Sequence, residues 1–300
     1  MIEPILPAVV DRLRSMSALD GACSERVTIG TAAVMVEASV GPADEDAAGA
    51  GTTPEDRRSA GLAHRPSGDA EIRGPLEEPA DGVDLDTLLE WATRPRSDSS
   101  GEATGGSGDG EAKPSVETAL GVAAVNALSA PFVDWEPGDP MALLDPDVDV
   151  IATVGLFRPA FRKFADVDVR VIERRDVGTI SAPESVRVTT FPPTEASAAM
   201  ADADVIFVTG SAFVYGGLEA YLEVAPASAT VVLIGATASV LPEPAFDAGV
   251  DVVAGASVTD RDRVREAVEA GACGTDLHDI GVRKVYAVND RDIDSLQTRQ

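Results

Sequence analysis

Hydrophobic residues recur in two different rhythms along the chain, and the change comes near residue 133. Before it, apolar residues repeat at the spacing of amphipathic helices, with a few strands between them. After it, short runs of apolar and β-branched residues alternate with helical stretches, which is typical of an α/β sheet. The pattern therefore predicts two domains, residues 1–132 and residues 133–300.

The first 132 residues predict a small α+β domain. Apolar stripes predict the helices, and clusters of β-branched residues predict the strands. The predicted helices are residues 4–19, 84–93 and 115–129, and the predicted strands lie within residues 27–40 and 61–65. Residues 41–60 and 97–114 have no periodicity and are rich in small and acidic residues, so we predict two mobile insertions there.

The second part predicts a parallel sheet with helices on both faces. Buried strands are predicted at residues 149–154, 168–173, 204–209, 230–235 and 250–254, with a weaker strand at 186–190. Helical stretches between them include residues 158–164, 195–201, 215–225 and 260–270. This alternation is typical of the α/β class and favours a Rossmann-like, doubly wound domain.

The excess of acidic residues indicates the cellular environment that the protein is adapted to. The 300 residues hold 51 Asp and Glu against 24 Lys and Arg, which gives a net charge of −27. The only lysines are Lys113, Lys163 and Lys284. Abundant carboxylates are favoured in molar salt, where a Debye length of about 3 Å screens their repulsion. We therefore expect a cytoplasmic protein of a salt-rich cell, and we expect no nucleic-acid partner because phosphate backbones would be repelled.

Cysteine usage and hydropathy exclude two further classes. Cys23 and Cys273 are the only cysteines, so the chain is not a disulfide scaffold and suits a reducing compartment. The first residues lack the regions of a secretory leader, and the longest apolar runs are interrupted before about 18 residues. We expect no membrane partner, whereas a homo-oligomer is left open.

Small and polar residues follow several predicted strands at the ends where open α/β sheets bind ligands. Small residues there let a ligand approach backbone N–H groups, which favour anions. We predict a ligand site at these strand ends, together with one amide from the third helix. The candidate residues are Asn126, Gly155, Arg158, Glu173, Arg174, Thr209, Gly210, Ser211, Gly235 and Thr237.

Several candidates have a second interpretation. Glu173 stands where a carboxylate can bind ribose hydroxyls, or it is a solvated strand end paired with a neighbouring arginine. Asn126 either lines a cleft between the domains or ties down a loop, because a buried amide needs partners. The polar residues at predicted helix starts favour N-capping, and these are Thr209, Ser211, Tyr215 and Thr237.

Three arginines stand out against the acidic background. Arg158, Arg174 and Arg175 follow two strands that we predict to be adjacent. They would form a cationic mouth that could hold an anionic ligand. Alternatively, each arginine pairs with a surface carboxylate.

No motif specifies a reaction. The turn after the first strand of the second part, Gly155-Leu156-Phe157-Arg158, lacks the G-x-G-x-x-G fingerprint of dinucleotide binding. His64 and His278 are the only histidines, and with the two cysteines they show no metal-ligand spacing. The nucleophile elbow G-x-S-x-G is also absent. Catalytic residues and metal ligands are therefore unassigned.

Ordered segments of the chain resemble one known family. In sequence order they are SVETALGVAAVNAL, VGLFRP, VIERR, ADADVIFVTGSAFVYGGLEAYL, VVLIGATASVLPEPAFDAGVDVVAGASVTD and GVRKV. They are similar to the heavy-metal-chelation family, a Rossmann-like domain of unknown function that usually follows an enolase-N-terminal-like domain. The resemblance implies that fold for residues 133–300 and the enolase-like fold for the first part.

The chain departs from that family at two strand ends. Tyr215 and Gly216-Gly217 stand where the family tends to have Asn and Thr after Thr-Gly, and Gly235-Ala236-Thr237-Ala238 replaces Gly-Pro-Ser-Thr. A ligand held by those side chains would be held differently here. Asn126 and the Glu173-Arg174 pair match the family pattern better.

Three functions follow as hypotheses. The first is heavy-metal chelation or binding of a small anionic ligand or metal complex in a cleft between the domains. Because thiol and imidazole ligands are scarce, a divalent metal ion would need oxygen ligands or a bound organic chelator. The second is an enzyme with an adenosine-bearing cofactor at the strand ends, and the third is an assembly protein with an inert Rossmann shell.

Overall fold

A computed structural model describes residues 2–40, 58–66, 83–94, 114–145 and 147–289. The predicted mobile insertions lie almost entirely outside these residues, so their mobility stays a prediction. Residues 58–60, predicted to be loop, instead begin a strand. They pair with Ser39, Ala38 and Glu37 of the neighbouring strand, which extends the predicted strand at residues 61–65.

The first part is a three-stranded antiparallel sheet packed against helices. Its strands, in sheet order, are β1 (Cys23–Ile29), β2 (Ala33–Ser39) and β3 (Arg58–His64). Its helices are α1 (Ile5–Ser15), α2 (Leu85–Thr93) and α3 (Val116–Ser129). Asp84 and Ser115 cap α2 and α3, because their side chains accept hydrogen bonds from the backbone N–H groups of Thr87 and Thr118.

The second part is built on one eight-stranded sheet. Its strands in chain order are β4 (Glu136–Pro137), β5 (Val150–Val154), β6 (Val167–Ile172), β7 (Val186–Phe191), β8 (Val205–Thr209), β9 (Thr230–Ile234), β10 (Val252–Val258) and β11 (Val282–Val288). In space they follow the order β4-β11-β10-β9-β8-β5-β6-β7. The six strands from β10 to β7 are parallel, which confirms the predicted α/β sheet. The antiparallel strands β11 and β4 were not predicted.

Short helices connect these strands. They are α4 (Ala160–Lys163), α5 (Ala196–Met200), α6 (Ala212–Tyr215), α7 (Leu218–Val224), α8 (Glu243–Asp247) and α9 (Arg261–Glu269). The helix predicted at residues 215–225 forms only over residues 218–224, because Gly216 and Gly217 have φ angles of 80° and 87°, which a right-handed helix excludes. Tyr215 therefore ends α6 instead of starting a helix. Within the described residues, no helix has the length and apolarity needed to cross a membrane.

The strand order creates a crevice beside β5. Strand β6 lies on one side of β5 and strand β8 on the other, so the chain winds in opposite directions from this point. Both faces of the sheet are covered, since Ala152 of β5 belongs to one apolar cluster and Ile151 to another. In sheets of this kind, the crevice at the carboxyl ends of the two strands is the usual place for a ligand.

Helix α3 joins the two parts of the molecule. All 14 of its residues are buried. It packs against β2 and β3 of the first part, and against α6 and the 3₁₀ helix Ala236–Ala238 of the second part. Strand β3 approaches it so closely that a Cβ on Gly61 would lie 2.1 Å from the carbonyl oxygen of Ala123.

Asn126 fastens α3 to both parts. Its amide nitrogen donates to the carbonyl oxygens of Leu62 at 2.8 Å, Thr237 at 3.2 Å and Ala236 at 3.3 Å. The residue is only 1% exposed. These bonds connect α3, the end of β3 and the 236–238 turn, as expected of a residue that ties elements together.

Charged contacts add to this joint. The Arg265 guanidinium of α9 donates from Nη1 to both carboxylate oxygens of Glu37 on β2, at 3.1 and 3.2 Å. On another side of the molecule, Glu219 of α7 accepts a hydrogen bond from the backbone N–H of Ile5, the first residue of α1. A carboxylate is favourable at a helix N-terminus, where backbone N–H groups have no partner within the helix.

Candidate functional site

A pocket of about 350 Å³ opens at the carboxyl ends of β5, β6 and β8. Val154, Ile172 and Ala212 supply apolar surface, and polar side chains surround it. His64, the last residue of β3, lines the pocket from the first part of the molecule. The pocket therefore lies between the two parts, in the crevice that the strand order creates.

Glu173 is held in place at the end of β6. Its Oε1 accepts a hydrogen bond of 2.7 Å from the backbone N–H of Leu156. The chain reaches Leu156 through Gly155, whose φ of 86° and close approach to Thr209 both require glycine. The second carboxylate oxygen of Glu173 forms no hydrogen bond or ion pair with the described part of the chain. Neither of the interpretations offered for Glu173 anticipated this anchoring contact.

Thr209 and Ser211 present a pair of hydroxyls at the end of β8. Their oxygens lie 2.7 Å apart, and either can be the donor. Ser211 occupies the N-cap position of α6 but makes no capping hydrogen bond with its side chain. The expected N-capping role is therefore wrong for Ser211. Because one hydroxyl hydrogen is used within the pair, one remains to donate to a ligand.

Arg174 spans the wall of the pocket. Its Nη2 donates to the carbonyl oxygen of Gly216, and its guanidinium carbon lies 5.8 Å from the centre of the Tyr215 ring. This is the distance range of a cation–π contact. Arg175 also lines the pocket. Two of the three arginines predicted to form a cationic mouth thus lie at the same site.

His64 and Tyr215 meet at the side of the pocket next to the first part. The His64 Nε2 lies 3.3 Å from the Tyr215 hydroxyl oxygen. The backbone N–H of His64 donates to the Thr237 hydroxyl at 2.9 Å, which fixes the end of β3 against the second part. Burial lowers the pKa of His64 below its ordinary value of 6.5, because the charged imidazolium is poorly solvated there. His64 is therefore neutral at pH 7.

The pocket includes some predicted site residues and not others. Gly155, Glu173, Arg174, Thr209 and Ser211 line it. Five other candidates lie outside its lining: Asn126, Arg158, Gly210, Gly235 and Thr237. Arg158 is exposed and its guanidinium forms no hydrogen bond or ion pair with the described residues, whereas Gly210 packs on the backbone of Ala238. Thr237 is buried and supports His64 instead of facing the pocket.

Sequence reasoning did not assign the aromatic and histidine residues of the pocket. Two of the three tyrosines of the chain, Tyr215 and Tyr221, and one of its two histidines, His64, line the pocket. Rarity was the available signal, because the chain contains few tyrosines and histidines and three of them gather here. Their meeting depends on contacts between distant segments, which a single sequence does not show.

The described lining of the pocket does not supply a metal site made by the protein alone. Among the described residues, no group of three or more His, Cys, Asp or Glu side chains could hold a metal ion. Glu173 and His64 are the two potential metal ligands of these types in the pocket lining. A metal ion here would need most of its ligands from another molecule.

Comparison with known families points to the part of the chain that forms most of the pocket. Residues 141–287 match DUF364. That family is described as "Putative heavy-metal chelation". The matched segment contains every lining residue of the pocket except His64. No curated protein matches this sequence.

Two solved DUF364 structures resemble the whole molecule. The first is a protein with unknown function from Pyrococcus horikoshii, with a TM-score of 0.69 and 18% identity over 95% of this chain and 100% of that chain. The second, also of unknown function, is from Desulfitobacterium hafniense DCB-2, with a TM-score of 0.58 and 17% identity over 94% of this chain and 99% of that chain. At these identities, the similarity concerns the fold alone.

The buried His64 predicts a pH-dependent difference between the wild-type protein and the His64→Gln variant. The unfolded chain takes up a proton on this histidine near pH 6.5, whereas the folded protein does so only at lower pH. The wild type therefore loses stability relative to the variant as the pH falls below 6.5, by at most about 1.4 kcal/mol per pH unit. Denaturant unfolding of both proteins at constant salt between about pH 7.5 and pH 5 measures this. If the unfolding free energies of the two proteins change with pH by the same amount, the prediction is wrong.

Proposed function

We propose that this protein binds a small anionic organic ligand, or a metal complex of one, in the pocket between its two parts. The observation that carries the proposal is the local reversal of charge. In a chain of net charge −27, the described lining of the pocket has two arginines, Arg174 and Arg175, and one carboxylate, Glu173, while His64 is neutral. A positive site within a negative surface concentrates the field on an anion.

The donors around the pocket support an anion as ligand. Arg174 uses one N–H on Gly216 and keeps other N–H groups, and the Thr209–Ser211 pair has a hydroxyl hydrogen to give. Hydrogen bonds from guanidinium to carboxylate or phosphate are about twice as strong as neutral ones. The volume of about 350 Å³ lies at the small end of ligand pockets.

In this proposal a heavy metal is bound by the ligand and not by the protein alone. The family description suggests a metal, while the described residues contain no cluster of three metal ligands. We therefore propose that a metal arrives already held by an organic anion. In such a complex the arginines bind the anionic chelator, and a Glu173 oxygen or His64 Nε2 could complete the coordination.

A second function rests on Glu173 and the strand order. Counted from β5, the parallel strands follow the order 6-5-4-1-2-3, which in reverse is the classic Rossmann order 3-2-1-4-5-6. Glu173 ends the second of these strands, where a carboxylate binds ribose. The alternative is thus an enzyme with an adenosine-bearing cofactor. The four-residue helix α4 and the lack of a glycine fingerprint argue against a pyrophosphate-containing one.

The proposal is tested by a ligand screen on the pocket arginines. Thermal shifts in about 2 M KCl, chosen for screening of surface charge, would be measured with small carboxylates, phosphate esters, citrate complexes of Fe(III), Ni(II) and Zn(II), S-adenosylmethionine and NAD. We expect one anionic compound to raise the melting temperature. Arg174→Gln and Arg175→Gln should each weaken its binding roughly 10- to 100-fold, as loss of a charged hydrogen bond does.

Arg158→Gln is the matched control. It removes an exposed arginine from a neighbouring loop but outside the pocket lining, and affinity should stay within about twofold because a surface charge contributes little. An equal loss in this variant would indicate general attraction to the protein and overturn the proposal. A response to S-adenosylmethionine or NAD alone would favour the cofactor enzyme. If no compound in the screen raises the melting temperature, the assembly protein with an inert Rossmann shell is favoured instead.

The setting of this function is also proposed. The composition supports a cytoplasmic protein of a salt-rich cell. The antiparallel sheet and helices of the first part are compatible with the enolase-N-terminal-like fold that the sequence resemblance implies. We retain residues 1–132 and 133–300 as the predicted domains, and we leave a homo-oligomer as a possibility for light scattering to examine.

A further inference from the structure

Glu173 and Arg174 lie side by side in the pocket lining without pairing with each other. Glu173 precedes Arg174 and Arg175 in the chain, yet its carboxylate turns to the backbone N–H of Leu156. Arg174 turns the other way and donates to the carbonyl oxygen of Gly216. Within the described residues, neither side chain forms an ion pair with the other.

This separation has a chemical consequence. A carboxylate accepts hydrogen bonds and offers none, and the second oxygen of Glu173 is unused by the described residues. A purely anionic ligand would be repelled by this oxygen. A ligand that carries a hydroxyl or an ammonium group beside its anionic group would instead donate to it.

We infer that the pocket selects anions that also bear a hydrogen-bond donor, with the arginines binding the anionic group and Glu173 accepting from the hydroxyl or ammonium group. The inference rests on the proposed function and specifies its ligand class. Hydroxy acids, amino acids and their phosphorylated relatives belong to this class. Dicarboxylates without such a donor do not.

The fixed position of Glu173 is essential to such selection. The bond to Leu156 holds the carboxylate at the end of β6, and Gly155, with a φ of 86°, lets the chain turn so that Leu156 lies there. Because the acceptor is already oriented, a donor of the ligand gains the hydrogen bond without ordering the side chain. Sites built to accept a donor from the substrate reject analogues that lack it.

Three four-carbon dicarboxylates test the inference. Succinate has no donor beside its carboxylates, malate has a hydroxyl, and aspartate has an ammonium group. Titration calorimetry in about 2 M KCl should show malate or aspartate binding at least about tenfold more tightly than succinate. The stronger of the two identifies which donor the pocket takes.

Glu173→Gln assigns the preference to this side chain. Its amide oxygen can still accept from Leu156, but the remaining NH₂ group cannot accept from a ligand. We expect the preference to disappear while succinate binds as well as before or better. The melting temperature of the variant controls for folding, and the comparison of the three acids in the wild type needs no variant.

The outcomes separate this inference from the proposed function. Equal binding of the three acids, lost in Arg175→Gln, would overturn the inference and support the anion pocket. A preference that survives in Glu173→Gln would also overturn it. If none of the three acids binds, the inference is wrong for these anions, and a silent screen would then remove the proposed function as well.

Discussion

Replacing Asn126 by aspartate should cost more than about 4 kcal/mol of folding free energy, because an NH₂ group whose two hydrogens serve three carbonyl oxygens gives way to an oxygen that these carbonyls repel. The side chain faces the carbonyl oxygens of Leu62, Ala236 and Thr237 and is almost completely buried. A carboxylate there has no donor to offer and loses its own solvation. The loss is comparable with the whole stability of many proteins, about 5–15 kcal/mol. Denaturant unfolding in constant salt measures it.

Two comparisons show whether charge is the cause. The difference in unfolding free energy between Asn126→Asp and the wild type should become smaller at acidic pH. A buried carboxyl has a raised pKa, and its neutral form is tolerated better. Ser129→Ala, one turn later on α3, is the matched control: its hydroxyl is buried without a partner in the described structure, so its removal should be neutral or stabilising. A small and pH-independent loss of unfolding free energy in Asn126→Asp would contradict the role of Asn126 in holding α3 to both parts.

Replacing Gly61 by alanine is expected to cost about 3 kcal/mol or more, because the new methyl group meets backbone atoms that cannot rotate away. The added Cβ would lie 2.1 Å from the Ala123 carbonyl oxygen and 2.4 Å from the Ala127 nitrogen. Strand β3 must then move off α3. Because His64 ends the same strand, the variant should also bind pocket ligands more weakly. Denaturant unfolding measures the loss of stability. Titration with the compound that binds the wild type in the screen measures the loss of affinity.

Gly178→Asn is the control for Gly61→Ala. Gly178 has a φ of 62° and no atom within 4 Å of an added Cβ, and asparagine tolerates this conformation. We expect it to cost less than about 1 kcal/mol and to leave ligand binding unchanged. A Gly61→Ala protein as stable as Gly178→Asn would mean that β3 and α3 are not packed as described.

The central parallel strands β5, β8 and β9 were predictable because their sequences are buried on both faces. Runs such as VIFVT at β8 and TVVLI at β9 are apolar almost throughout, which is typical of a strand covered on both faces. Strand β11 was missed because Arg283 and Lys284 stand exposed within it. The helix predicted over residues 215–225 starts later for a local reason, since the positive φ angles of Gly216 and Gly217 delay its first residue to Leu218.

The candidate site was predictable only in part. The rule that ligands bind at the carboxyl ends of parallel strands suggested Glu173 and Thr209, and the fold places both on one pocket. His64 belongs to a different sheet, and its contact with Tyr215 spans 151 positions of the chain. The shape of Asn126's surroundings likewise depends on three separate segments. No spacing in a single sequence encodes such meetings.

The complete burial of α3 makes the two parts interdependent partners in folding. A helix with no exposed side gains its packing only when both parts are present, so either part made alone would expose an apolar surface where the other should sit. Heating should therefore produce one calorimetric transition for the whole chain, with no plateau for a half-folded molecule. By the same reasoning, exchanging the second part with that of a distant relative would yield a soluble protein only if the α3 residues that contact the second part were exchanged with it.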